Sequence, residues 1–178
     1  MTTLMMAGFT VIPYLSPYFV KNAGIKESDL STLYFVAGAV NFFMARWIGR
    51  MSDRLGKSKM FTVMALFSVA TIYLLTTMPP WPLVAATAVM TVFTVSMTGR
   101  FVPAMAMITS SVRAESRGSF MSLSTSVQQA GTGIAAYVGG MMLTEAGGRI
   151  VHYDRVGLLA IAATLISIPL AQGLRREG

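Results

Sequence analysis

Arg100 is the residue of this chain most clearly placed to do chemistry, because it interrupts a long apolar stretch. It precedes Arg113, in a short basic loop, by about thirteen residues, so a helical rise of 1.5 Å per residue puts it roughly 20 Å from that loop. At such a depth in a bilayer an unpaired charge costs at least a few kcal/mol, and an ionisable residue there marks a candidate functional site. A guanidinium can bind an anionic group of a solute or a carboxylate. A buried arginine that is satisfied by backbone carbonyls and side-chain amides is the competing interpretation.

The partner of Arg100 is not an acid of a neighbouring apolar run, because no Asp or Glu lies in the middle of any such run. The remaining candidates are Gln128 or Gln129, water, the solute, or an acid on another polypeptide. Polar amides inside a span need partners and can line a cavity. We therefore expect Arg100, Gln128 and Gln129 to form the substrate or coupling site. Arg46 lies closer to a membrane interface, where we expect its side chain to snorkel.

Small residues recur at every fourth position on the segment that carries the two glutamines, at Gly131, Ala135 and Gly139. Such a stripe lets the backbones of two membrane helices approach closely. We assign these residues to helix packing rather than to binding.

A short basic loop, Gly49-Arg50-Met51-Ser52-Asp53-Arg54-Leu55-Gly56-Lys57-Ser58-Lys59, joins the second and third apolar runs. Gly56 is expected to end a helix with positive φ, and Gly49 to allow a neighbouring helix close by. Asp53 can accept hydrogen bonds from a helix N-terminus or pair with an arginine. Its expected contact is the start of the fifth span, near Arg113 and Arg117, or a helix of another bundle.

The spacing in this loop resembles the cytoplasmic-loop signature of the major facilitator superfamily, G-x-x-x-D-R-x-G-[RK]-x-[RK]. The resemblance implies a conformational switch, in which the aspartate latches the cytoplasmic side, formed by Gly49, Asp53, Arg54, Gly56, Lys57 and Lys59. The run Gly99-Arg100-Phe101-Val102-Pro103-Ala104 is similar to the arginine-bearing fourth helix of a family half. The small-residue stripe resembles a degraded G-x-x-x-G-P-x-x-G-G motif of the family's fifth helix. Ala136 stands in place of the proline, so the motif gives little reason to expect an antiporter-type kink.

Composition excludes a soluble domain, because 54% of residues are hydrophobic and 12% are charged, against about 25% charged in soluble domains. The apolar runs are long enough to cross a bilayer as helices and do not alternate as the strands of a membrane β-barrel do. The net charge of +7 comes from basic residues beside spans, which favours the lipid bilayer as partner and argues against nucleic acid.

The fold class is an all-α integral membrane protein, with residues 1–178 as a single bundle of six transmembrane helices. The predicted spans are 3–20, 29–50, 59–78, 82–108, 118–144 and 155–174. Ala146-Gly147-Gly148 is expected to end the fifth span as a helix C-cap. Eight basic residues flank one side of the spans, Arg50, Arg54, Lys57, Lys59, Arg113, Arg117, Arg175 and Arg176, and four flank the other, Lys21, Lys26, Arg149 and Arg155. The side with more basic residues is expected to be cytoplasmic, so both termini are expected in the cytoplasm. The expected location is the cytoplasmic membrane.

Six spans correspond to one half of a typical major facilitator fold, which has two six-span halves. The order of motifs most resembles the C-terminal half of a sugar-efflux or drug–proton antiporter type member. The resemblance implies secondary active efflux of a small solute, with proton coupling as an option, by alternating access after pairing with a second half. That half is expected on a second copy or a separate chain. The short first span suggests a natural half, a split gene product or a truncated reading frame.

No enzymatic activity, cofactor or metal site is expected. The chain has no cysteine and a single histidine, so no multi-histidine or thiolate metal site can form. Its fifteen methionines favour flexible packing over a copper pathway. The alternative to a transporter half is a non-transporting membrane fragment or an assembly or scaffold module.

Overall fold

The computed structural model describes residues 2–110 and 112–173. Seven helices and one hairpin lie in this part of the chain: α1 (Thr2–Phe9), α2 (Leu15–Lys21), α3 (Glu27–Leu55), α4 (Lys57–Thr76), α5 (Leu83–Ser110), α6 (Arg117–Met142), β1 (Thr144–Ala146), β2 (Arg149–Val151) and α7 (Tyr153–Gly173). Short 3-10 turns cover Ile12–Tyr14 and Ala114–Ser116. Leu174, the predicted end of the last span, and the basic residues Arg175 and Arg176 lie outside the described residues.

The first apolar run is a broken helix, whereas the sequence predicted one continuous span over 3–20. Helix α1 ends at Phe9, and a 3-10 turn at Ile12–Tyr14 leads into α2. Pro13 stands at the start of that turn, where its missing N–H removes a helical hydrogen bond and its ring clashes with the preceding turn. The Val11 N–H accordingly bonds to the Gly8 carbonyl, three residues back rather than four.

Three of the described helices, α4, α5 and α7, are long and apolar enough to cross a membrane by length and composition. Together with the broken first element, α3 and α6 complete a mostly helical bundle of six membrane elements. Gly56 alone separates α3 from α4, and its φ of 91° is a conformation that side chains with a Cβ rarely adopt. The expected helix end at this glycine is thus present.

The core lies mainly between α2, α3, α4, α5 and α7, toward the end of the bundle opposite Gly56. Tyr18 and Tyr153 pack there with ring centroids 4.4 Å apart. The Tyr18 hydroxyl donates to the carbonyls of Thr76 and Met78, and the Tyr153 hydroxyl donates to the Val11 carbonyl. The bonds from Tyr18 satisfy carbonyls at and just after the end of α4, where no helical N–H follows. The Val11 carbonyl accepts from Tyr153 in addition to the Tyr14 N–H of the 3-10 turn.

A β-hairpin joins α6 to α7, in place of the C-cap that Ala146-Gly147-Gly148 suggested. Helix α6 already ends at Met142, and Gly147 and Gly148, with φ of 59° and 75°, form the two-residue turn between β1 and β2. Paired positive φ values are the requirement of a tight hairpin turn. Lys21 forms an ion pair with Glu145, and the side chain of Asn22 bonds to both backbone groups of Ile150, so the hairpin is fixed to the end of α2.

Candidate functional site

A cavity of about 390 Å³ opens between α1, α5 and α6. Helix α5 contributes Arg100 and α6 contributes Gln128 and Gln129, so the structure brings together the three residues that the sequence singled out. The rest of the lining combines threonine hydroxyls with apolar and thioether side chains: Met5, Gly8, Phe9, Ile12, Met97, Thr98, Phe101, Thr125 and Thr132. None of the described residues in the lining is acidic.

Arg100 is 1% exposed, and its described partners are all neutral. Nη1 donates to the Thr164 hydroxyl on α7 at 2.7 Å and to the Ser68 hydroxyl on α4 at 3.4 Å. Nη2 lies 2.6 Å from the Met97 sulfur, one helical turn back on α5. Thioether sulfur is a weak acceptor, so the Nη2 edge of the guanidinium is the less well satisfied of the two.

The hydroxyl groups that hold Arg100 belong to a buried polar network that the sequence analysis did not identify. Thr164 donates to the Ala160 carbonyl and Ser68 to the Ala65 carbonyl. Each hydroxyl can therefore donate to its own helix and still accept from the guanidinium. Each of these two apolar runs carries more than one small hydroxyl residue, such as Ser68 and Thr71 in α4 and Thr164 and Ser167 in α7. Only the helix packing shows which of them meet Arg100.

The two glutamines do not bond to Arg100, contrary to one of the expected pairings. Gln128 Nε2 donates to the Ser124 hydroxyl at 3.0 Å. Gln129 is exposed and makes no hydrogen bond with any described residue. Its amide, which lines the cavity, is therefore free to bond to a ligand.

The small-residue stripe of α6 lies against the first element of the bundle. Gly131, Ala135 and Gly139 are buried, and a Cβ added at Gly139 would lie 2.7 Å from the Thr10 carbonyl oxygen. The Tyr14 hydroxyl donates to the Ala136 carbonyl at 2.6 Å. This contact holds the segment Thr10–Tyr14, which follows α1, against α6 beside the cavity.

The basic loop makes none of its expected contacts within the described part of the chain. Asp53 is exposed and has no hydrogen bond or ion pair there, with Arg113 and Arg117 or with any other described residue. A Cβ added at Gly49 would meet nothing within 4 Å, so no helix approaches it closely. Arg54 and Lys59 are exposed and Lys57 is half-buried. Within the described bundle, the surface of the basic loop therefore has no partner helix.

A second cavity, of about 860 Å³, opens between the start of α4 and the end of α7. Arg46 is exposed on α3 and does not line the cavity. Among residues 2–110 and 112–173, no group of three or more His, Cys, Asp or Glu side chains could hold a metal ion.

Comparison with known protein families gives one finding. The family model described as Major Facilitator Superfamily matches residues 1–176, which is nearly the whole sequence. Comparison with curated proteins and with solved structures gives no significant match.

Proposed function

This chain belongs to the major facilitator superfamily, a family of multi-pass membrane transporters, and on that premise we propose that it is a transporter half that moves a small solute by alternating access. The solute binds in the cavity between α1, α5 and α6. The observation that carries this proposal is the position of Arg100, a buried cation beside a cavity that also displays two amides. A charge at this depth is costly unless it has a function or a partner.

Alternating access requires a second bundle, because one bundle rocks against another around a site near the midplane. We propose that the second bundle is supplied by another copy of this chain or by a separate sequence, and that it closes the open side of the cavity. Two observations support this. Asp53 has no partner among the described residues, and the space beside Gly49 is empty. Both are free to meet a helix of the second bundle at the switch loop.

The finer assignment follows the motifs. The resemblance to the C-terminal half of a sugar-efflux or drug–proton antiporter type member supports efflux across the cytoplasmic membrane. The distribution of basic residues supports cytoplasmic termini. The alternation of elements along the chain supports placing the Gly56 turn and the connection from α5 to α6 on the cytoplasmic side, and the hairpin on the opposite side.

Proton coupling, if the transporter uses it, depends on groups outside this bundle's spans. The seven acidic residues are Glu27, Asp29, Asp53, Glu115, Glu145, Asp154 and Glu177. Those within described helices lie in the first or last turn. We therefore propose that any carboxylate that carries a proton during transport belongs to the second bundle.

Flux in proteoliposomes, with the mass of the purified particle in nanodiscs, tests the proposal. We expect substrate-dependent flux and a particle that contains two six-helix bundles. Arg100→Leu should abolish most of the flux without unfolding the protein, since no acidic partner is left unpaired by the change. Arg46→Leu, the matched control on the exposed face of α3, should have a milder effect. Folded, paired protein without flux for any solute would favour an assembly or scaffold module instead.

A further inference from the structure

We propose that the cavity selects a small organic anion with an apolar body, and that the Met97 thioether occupies the place of the anion's oxygen until the ligand binds. The inference deepens the proposed function, on which it rests, by assigning a substrate class to the same site. It depends on three features of the cavity: the sign of its charge, the state of the guanidinium, and the composition of its walls.

No described residue compensates the charge of the site. Arg100 is 1% exposed, and its described partners are two hydroxyls and a thioether. Every Asp and Glu of the sequence lies outside the middle of the spans. In a low-dielectric interior, one fixed positive charge without a counter-charge attracts an anion and repels a cation.

The guanidinium has one well-satisfied edge and one poorly satisfied edge. Nη1 bonds to the hydroxyls of Thr164 and Ser68, and neither of these residues is in the described cavity lining. Nη2 lies near Gly8 of α1 and the sulfur of Met97, two residues that line the cavity. A carboxylate oxygen accepts a charge-assisted hydrogen bond far better than a thioether does. Exchange of the flexible methionine for a carboxylate is therefore favourable, and the unbranched side chain can move aside.

The other residues of the cavity lining indicate the chemistry of the uncharged part of the ligand. Phe9, Phe101 and Ile12 present apolar surface, and Gln129 presents an amide with no bond to a described residue. An anion with an aromatic or aliphatic body would place its charge at Nη2 and its apolar part against these side chains. A cavity of about 390 Å³ has the size of a small-molecule site.

Three probes of similar shape and different charge test the inference: benzoate, benzamide and benzamidine. Equilibrium binding to the purified full chain in nanodiscs should rank benzoate first, with benzamidine undetectable. Arg100→Gln should weaken benzoate binding about 10- to 150-fold, the effect of one charge-assisted hydrogen bond, and should weaken the binding of neutral benzamide far less. Equal binding of all three probes would overturn the assignment.

Two methionine variants test the part played by the thioether. Met97→Leu keeps the volume and removes the sulfur, so benzoate should bind about two- to fivefold more tightly, as expected if a weak hydrogen bond no longer competes. Met105→Leu, on the same helix but outside the cavity lining, should bind benzoate like the wild type. Weaker benzoate binding in Met97→Leu alone would show that the sulfur supports the ligand instead of standing in for it.

Binding and flux separate this inference from the proposed function. Flux of neutral solutes with no preference for anions would refute the anion assignment and leave the transporter proposal intact. Selective benzoate binding that depends on Arg100, without flux of any anion in a correctly paired particle, would support the site and refute transport.

Discussion

Substitution of Gly139 by alanine tests the contact that joins the segment Thr10–Tyr14, directly after α1, to α6. A Cβ at this position would lie 2.7 Å from the Thr10 carbonyl oxygen and 3.1 Å from Tyr14 Cε2. The nearer atom belongs to the backbone and cannot rotate away, so the segment at Thr10 and α6 must move apart by several tenths of an ångström. Overpacking of this kind costs about 1–3 kcal/mol.

Gly133→Ala is the matched control, because Gly133 lies on the same helix and its added Cβ meets nothing within 4 Å. Both substitutions replace glycine by a better helix former and gain up to about 1 kcal/mol in the same way. The difference between the two variants therefore isolates the clash. We expect Gly139→Ala to unfold at a temperature lower by about 3–10 °C than Gly133→Ala.

Thermal unfolding in one detergent, at one scan rate, is the appropriate assay, since membrane proteins often unfold irreversibly. Trp47 and Trp81 provide intrinsic fluorescence, and both lie outside the α1–α6 contact. Identical midpoints for the two variants would refute the reasoning, because the close approach of the Thr10 carbonyl would then not be present in the folded protein.

The other predictions concern the switch loop and the orientation of the bundle. Asp53→Asn should slow flux with little change in the substrate dissociation constant, since Asp53 is exposed and does not line the cavity. A large loss of substrate affinity at normal flux would contradict the proposed switch role. Gly56→Ala should destabilise the protein by about 1–3 kcal/mol, because a side chain at φ of 91° is strained, whereas Gly49→Ala should be neutral or stabilising in a thermal melt. The chain has no cysteine, so Ser58→Cys and Ala146→Cys are single labelling sites, and an impermeant maleimide should reach them from opposite faces of the membrane.

The sequence predicts the helical class well because length and apolar composition decide it. The run that becomes α4 has no internal break, and it is bounded by Gly56 and by the Pro79-Pro80 pair. Neither the break after α1 nor the hairpin follows from hydropathy. The first depends on the missing N–H of Pro13, and the second on two successive glycines with positive φ.

Some residues of the candidate site can also be predicted from the sequence, and others cannot. Arg100 is conspicuous because a charge in an apolar run is rare, and the polar glutamines of α6 are visible for a similar reason. The sequence does not single out Ser68, Thr164 or Met97, since small hydroxyls and methionines in membrane helices usually serve packing. Their role comes from the way α4, α5 and α7 converge on one guanidinium, which is a property of tertiary structure.

The placement of the partners of Arg100 also has a consequence for biogenesis. Ser68 belongs to α4, which the ribosome completes before α5, whereas Thr164 belongs to α7, which emerges only after α6 and the hairpin. When α5 enters the bilayer, its arginine can thus meet only the weaker of its two hydroxyl partners, the one at 3.4 Å. Insertion of an arginine at the centre of a helix costs roughly 2.5–3.5 kcal/mol on translocon scales. The nascent helix carries this cost while α6, the hairpin and α7 are made, until α7 docks and Thr164 reaches the guanidinium.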